Sequence, residues 1–209
     1  MMNKFKKGLI WFGKSYLWLI PLFFIIDIVS KKYFESLLWK GNYSDTIVVI
    51  PGFFSFEVLY NTGAAWGAFS GQYWLLIAIS SIAGIAMIWY LGKYYKKLNG
   101  VAKIALYLMI PGCLGNLIDR AFYDNGVIDF LKFTFGSYNF PTFNFADSCL
   151  VVGAILLVIS VIVDDVKEKR EAEMLQQQYE ETKQNINQKS EQNETKNAKE
   201  ISDLKKKDK

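Results

Sequence analysis

From Tyr73 to Gly92 the chain runs for twenty residues without a charged side chain. A backbone in hydrocarbon has no water to bond with, so such a run must close its own hydrogen bonds. As a helix it is about 30 Å long, enough to cross a bilayer. Composition extends the argument: the chain is 52% hydrophobic and 16% aromatic although its last quarter is polar. The apolar residues must therefore gather upstream in further runs. Tyr16 to Val29, with some flanking residues, is predicted as the first membrane helix, and Val101 to about Ile118 and Ala146 to Val163 as the third and fourth. Pro21 is tolerable in the first because neighbouring helices can satisfy the freed carbonyl. The expected fold class is a mainly α membrane protein with four transmembrane helices, a small extracytoplasmic β element and a polar C-terminal tail.

The β element is expected within about 32–72, where the chain leaves the membrane. Thr46 to Ile50 and Phe53 to Tyr60 read as two short strands joined at Pro51-Gly52. Asn61 to Phe69 mixes small and aromatic residues and reads as an amphipathic loop lying on lipid. The domain division that follows is 1–163 for the membrane domain and 164–209 for a charged tail, a short helical extension fading into disorder.

Basic residues set the orientation. Lys4, Lys6, Lys7 and Lys14 precede the first helix, Lys93, Lys96, Lys97 and Lys103 lie between the second and third, and Lys167, Lys169 and Arg170 follow the fourth. The opposite segments are longer and sparser in positive charge. Both termini are therefore expected in the cytoplasm. The formal net charge of +4 comes from scattered residues without a nucleic-acid motif, so the expected contact is membrane lipid and not nucleic acid.

The chemistry is bounded by a zero, since there is no histidine. That excludes Ser-His-Asp and Cys-His catalysis and any metal site needing imidazole. Cys113 and Cys149 are expected as small packing residues in membrane helices. Carboxylate chemistry or a Ser-Lys pair remains, and no cofactor or metal is expected.

The acids sit at one predicted face. Helix one runs outward and ends near Asp27, with Lys31 one turn on. Asp27 with Lys31 reads either as an ordinary surface ion pair at the membrane edge or, because Asp27 is still inside the apolar run, as a group with a structural or substrate-facing role. Helix three delivers Asn116, Asp119 and Arg120 to the same depth, spaced three and four apart on one helical face. Asp119 beside Arg120 is expected as a paired, ionised carboxylate with a structural role. Asn144 and Asp147 open helix four, where a helix N-terminus favours a negative charge. Asp129 follows Gly126-Val127-Ile128 in an extended or turning segment that can approach Asp147. Two close carboxylates cannot both ionise cheaply, so one keeps a proton near neutral pH. The ionised member can take a proton from water while the other polarises a peptide carbonyl.

Five blocks carry a resemblance: Asp27 with Lys31, Asn61-Thr62-Gly63-Ala64-Ala65, Gly112 through Asn116 to Asp119-Arg120, Val127-Ile128-Asp129-Phe130, and Phe140 through Asn144 to Asp147. In order and spacing they resemble the signature blocks of bacterial lipoprotein signal peptidases (signal peptidase II), an aspartyl membrane protease family, from about Tyr16 to Val163. Trp66 departs from the usual phenylalanine and the charged tail exceeds the usual short end. The resemblance implies removal of the signal peptide of a prolipoprotein just before its diacylglyceryl-modified cysteine. It implies Asp129 and Asp147 as the catalytic dyad. Asn61, Gly63, Asn116, Asp119, Arg120 and Asn144 would shape the site and hold substrate, with Asp27 and Lys31 in support. It also implies a lipid-contacting platform, sensitivity to the cyclic peptide globomycin, and a monomer in the bacterial cytoplasmic membrane with its site near the outer leaflet.

Three rival readings stand beside it. Ser30 with Lys31, or Ser70, would supply Ser-Lys chemistry, although adjacent residues point apart. A proton or ion carrier would use Asp27, Asp119 and Asp147 as relays, but would be expected to show repeats and midplane acids. A membrane anchor would present the tail to a partner without chemistry.

Overall fold

The computed structural model describes residues 15–63, 68–69, 71–123 and 125–207. Lys4, Lys6, Lys7, Lys14, the stretch 64–67 and Ser70 lie outside the described residues. The chain divides into two units, Met1–Val161 and Ile162–Lys209. In order the elements are helix α1 (Leu19–Leu38), strands β1 (Thr46–Ile50) and β2 (Phe54–Asn61), and helices α2 (Tyr73–Tyr94) and α3 (Gly100–Phe122). Strands β3 (Val127–Phe135) and β4 (Tyr138–Asn139) and helix α4 (Phe145–Lys207) follow.

Among the described residues, α2, α3 and the Phe145–Lys183 part of α4 are long and apolar enough to cross a membrane. Their exposures differ in an informative way. About half of the α3 window is buried inside the protein (56%), against 17% for α2 and 22% for α4. Helix α3 is therefore the central one, and most of the surface of the other two faces outward from the protein.

Helix α1 differs from its expected bounds. It runs to Leu38 instead of stopping near Val29, so 32–38 is helical and not part of the β element. The sequence suggests an exit because Lys31, Lys32 and Glu35 interrupt the apolar run. Lys31 is instead buried, and Lys32 pairs with Glu35 at 2.7 Å one turn on. These charges also keep α1 out of the set with clear membrane-crossing character. Pro21 needs no neighbouring helix, since it lies in the first turn of α1, where a missing N–H breaks no helical bond.

Close packing against α3 depends on glycine. A Cβ on Gly112 would stand 2.6 Å from the Ala146 carbonyl of α4, and one on Gly115 would overlap the Asp27 carboxylate of α1. Both neighbours approach a backbone stripped of side chains. At the far end of the bundle, Leu91, Leu106, Tyr107 and Ile110 form one apolar cluster, joined by Leu17, Leu19 and Ile20.

The sheet is antiparallel in the order β1-β2-β3-β4. Its two expected strands are present, and β3 adds the long-range partner that a local reading does not reveal. Leu38 of α1 packs under the sheet with Val58, Ile128 and Phe130. Phe34 stacks between Phe56 and Phe130, with ring centroids 4.3 and 4.6 Å apart. Such pairs add about 0.5–1.5 kcal/mol each beyond buried area, so the sheet is fixed to the end of α1.

Within Ile162–Lys209 the chain is helical to Lys207. Its side chains are exposed through Lys183. Gln, Glu and Lys are good helix formers, and Asp165 pairs with Lys169 at 2.8 Å across one turn.

Candidate active site

Asp129 and Asp147 reach one place through backbone pairing. Phe143 joins β3 by a bridge to Leu131: Phe143 N–H donates to the Leu131 carbonyl at 3.1 Å, and Leu131 N–H to the Phe143 carbonyl at 2.8 Å. The residue after that bridge, Asn144, starts α4. Its Oδ1 accepts from Asp147 N–H at 2.9 Å, and Asp147 Oδ2 accepts from Asn144 N–H at 3.1 Å. This reciprocal pair is a capping box, satisfying two amide donors at the helix start. Asp147 is thus held in the first turn of α4, next to the strand that carries Asp129.

Register brings the third contributor. Leu59 lies opposite Asp129 and Asn61 opposite Val127, so Asn61 is a diagonal neighbour of Asp129. Gly126 makes this approach possible: its φ is +96°, and an added Cβ would overlap the Asn61 backbone.

The two acids are set among donors. Asp129 Oδ2 accepts from Asn61 Nδ2 at 2.9 Å and its Oδ1 from Asn144 Nδ2 at 2.7 Å. Asp147 Oδ1 accepts from Asn116 Nδ2 at 2.7 Å. Asp129 is only 1% exposed and Asn144 is fully buried. Burial, and then the nearby charge of Asp147, push the Asp129 carboxyl from 3.8 up to about 7, against the downward pull of the Asn61 and Asn144 hydrogen bonds. The expected extended segment at Asp129 is found, and so is the helix start at Asp147.

Beneath the acids lies a buried ion cluster. Lys31 Nζ stands 2.8 Å from Asp27 and 2.8 Å from Asp119, with Asp27 and Lys31 each 1% exposed. Asp27 also accepts from Ala146 N–H at 2.8 Å, tying α1 to the first turn of α4. The Asp27–Lys31 pair is buried and so is not a surface ion pair. The expected Asp119–Arg120 pair is replaced: Asp119 pairs with Lys31. Consecutive residues on a helix diverge by about 100° and do not face each other.

Arg120 turns toward the site instead. It donates to the Gly63 carbonyl at 2.9 Å and to the Asn116 carbonyl at 3.4 Å, and its buried Nε has no partner among the described residues. Gly63 N–H in turn donates to Asn61 Oδ1 at 2.9 Å. The two rival nucleophiles divide. Ser30 Oγ donates to the Asp27 carbonyl at 2.9 Å while Lys31 is committed to two carboxylates, so Ser30 and Lys31 do not form a working pair. Ser70 lies outside the described residues.

One cavity of about 580 Å³ opens onto this arrangement. Asp129, Asp147, Asn61, Asn116 and Arg120 form its polar end, and Leu76, Ile79, Leu150 and Val151 its apolar walls. Phe140 to Phe143 close the side next to β3. The function of Asn144 as helix cap is legible in the spacing Asn144-x-x-Asp147, a capping-box pattern in which Asn and Asp replace the commoner Ser and Glu. The bridge at Phe143 has no comparable local signal.

Two solved structures, each described as a bacterial membrane enzyme, match at 35% identity. One has a TM-score of 0.62 over 73% of this chain and 90% of the other. The second has a TM-score of 0.58 over 71% and 92%. The chain is therefore a multi-pass membrane protein of an enzyme class. Lipoprotein signal peptidases of Clostridium tetani and Bacillus subtilis are 42% and 41% identical, over 73% and 70% of this chain and 95% of each relative. The one from Bacillus pumilus is 43% identical over 60% of this chain and 79% of its own length. The family model described as Signal peptidase (SPase) II matches residues 19–163. The chain belongs to this family of aspartic endopeptidases.

Proposed function

We propose that the protein removes signal peptides from membrane-bound prolipoproteins, cutting just before a diacylglyceryl-modified cysteine, with Asp129 and Asp147 as the catalytic pair. The observation carrying this reading is the single side chain of Asn144 that links them: it donates to Asp129 at 2.7 Å and accepts from the Asp147 backbone at 2.9 Å. Both carboxylates face the same cavity.

The chemistry follows from their surroundings. Asp129, pushed up to about 7, holds the proton. Asp147, facing Asn116 and the α4 N-terminus, holds the charge. Asp147 takes a proton from water as the water oxygen bonds to the scissile carbonyl carbon, and Asp129 gives its proton to the carbonyl oxygen. The resulting diol collapses when Asp147 protonates the leaving nitrogen and Asp129 recovers a proton from a hydroxyl. Arg120, Asn61 and Gly63 border the path of the substrate backbone, and the apolar walls suit acyl chains and the signal helix.

Helix α1 is the fourth membrane span, both termini are cytoplasmic, and the site is near the outer leaflet. Residues 1–163 form the peptidase domain, with the β sheet as its lipid-facing platform, and 164–209 form a cytoplasmic tail. The protein acts as a monomer, without metal or cofactor, and binds globomycin in the same cavity. The test is cleavage of diacylglyceryl-modified prolipoprotein by Asp129→Asn and Asp147→Asn. Both should insert normally and lose roughly 10²- to 10⁴-fold in rate, as expected for a removed general acid or base. Normal processing by either would end the reading.

A further inference from the structure

Lys31 does more than neutralise the acids beside it. Besides its two carboxylate partners, its ammonium donates to Asn116 Oδ1 at 3.0 Å. An ammonium can only donate. The oxygen of the Asn116 amide is therefore held toward Lys31, and its NH2 group is left facing Asp147 at 2.7 Å. Asn144 Nδ2 reinforces this at 3.1 Å, but its other proton is committed to Asp129. Among the described partners of the Asn116 side-chain amide, Lys31 is the one that carries a full charge and makes no hydrogen bond to either member of the pair. The two ends of an amide are nearly equal in size, so shape alone does not stop the group from turning over. Without Lys31 only the neutral Asn144 donor would hold the oxygen in place, and in the turned-over amide that oxygen would press on the Asp147 carboxylate.

We propose that Lys31 is a positioning residue for peptide hydrolysis, fixing the Asn116 amide so that Asp147 always meets a donor. This rests on reading Asp129 and Asp147 as the working pair. The charged groups around it are Asp27 on α1, Asp119 and Arg120 on α3, Asp129 on β3 and Asp147 on α4, with the thiols of Cys113 and Cys149 nearby.

The test separates orientation from charge by sign. In the full-length protein in detergent micelles, Asp27→Asn, Lys31→Met and Asp119→Asn are combined, which leaves a neutral cluster of similar volume. Removing its one net negative charge would by itself ease ionisation of the pair and move the acid-side fall in rate to lower pH. Release of the Asn116 amide moves it to higher pH, by about one unit, and lowers kcat about tenfold with KM within about twofold. An acid limb that stays or moves down overturns the proposal. In an Asn116→Ala background the same triple change should add no upward shift, and an equal upward shift there also overturns it. If the triple variant does not fold, the parent protein labelled with 15N at asparagine decides: the Asn116 Nδ2 signal should follow the titration of the pair, and a signal indifferent to pH overturns the assignment. Cleavage retained by Asp147→Asn would mark failure of the underlying reading, whereas an inactive Asp147→Asn with an unshifted triple variant defeats only the role of Lys31.

Discussion

Replacing Asp129 by asparagine should make the protein's stability less sensitive to pH, by an amount that the surroundings of the carboxyl define. Its value is about 7 in the folded chain against 3.8 for a free side chain. Folding therefore holds a proton that the unfolded chain releases. Stability falls as pH rises from about 3.8, and the full cost is present above about 7. The interval corresponds to about 4 kcal/mol at about 1.36 kcal/mol per unit, of which roughly 2–3 kcal/mol develops between about pH 5 and pH 8. An asparagine at 129 has no proton to lose. Its NH2 group would meet one of the two donors, Asn61 Nδ2 or Asn144 Nδ2, at a cost of about 1–3 kcal/mol that does not vary with pH. The decisive quantity is thus the change in the variant-minus-parent difference. Denaturation in detergent micelles at about pH 5 and about pH 8 should show the variant gaining roughly 2–3 kcal/mol on the parent over that range. A difference that is the same at both values would refute the reasoning, since it would mean that Asp129 is not held protonated by the fold.

Under the proposed mechanism the same proton predicts the activity profile: cleavage by the parent should decline as pH rises through about 7, where Asp129 loses the proton that the proposal has it donate, measured as kcat on a lipid-modified prolipoprotein. Lys31→Met should cost about 3–5 kcal/mol in the parent background, because Asp27 and Asp119 would remain buried without their cation; thermal unfolding measures it. Gly115→Ala should destabilise by about 1–3 kcal/mol and reduce activity, because the added methyl group displaces the Asp27 carboxylate. Unchanged unfolding for Gly115→Ala would mean that α1 and α3 are not in the close contact described.

Much of the architecture is legible locally because membrane crossing is a local property. The apolar runs beginning at Tyr73, Val101 and Ala146 each carry enough hydropathy to identify themselves. The end of α1 is not legible in this way. Lys31 reads as a residue leaving the membrane until its two acid partners, four and eighty-eight positions away, are seen around it. Asp119 is misjudged for a related reason: sequence adjacency to Arg120 suggests a pair that helix geometry forbids. That Asp129 and Asp147 open onto one cavity depends on the Leu131–Phe143 bridge, a pairing between distant segments. Strand β3 is hidden likewise, since a strand is defined by its neighbour as much as by its own residues.

The opening turn of α4 ties mechanical and chemical integrity together. The hydrogen bonds that begin this helix run between Asn144 and Asp147, and both side chains also belong to the carboxylate network. Fraying there would scatter the reagents before the bundle itself came apart. Loss of peptidase function should consequently be an early, local event on warming, well ahead of the loss of bulk helicity.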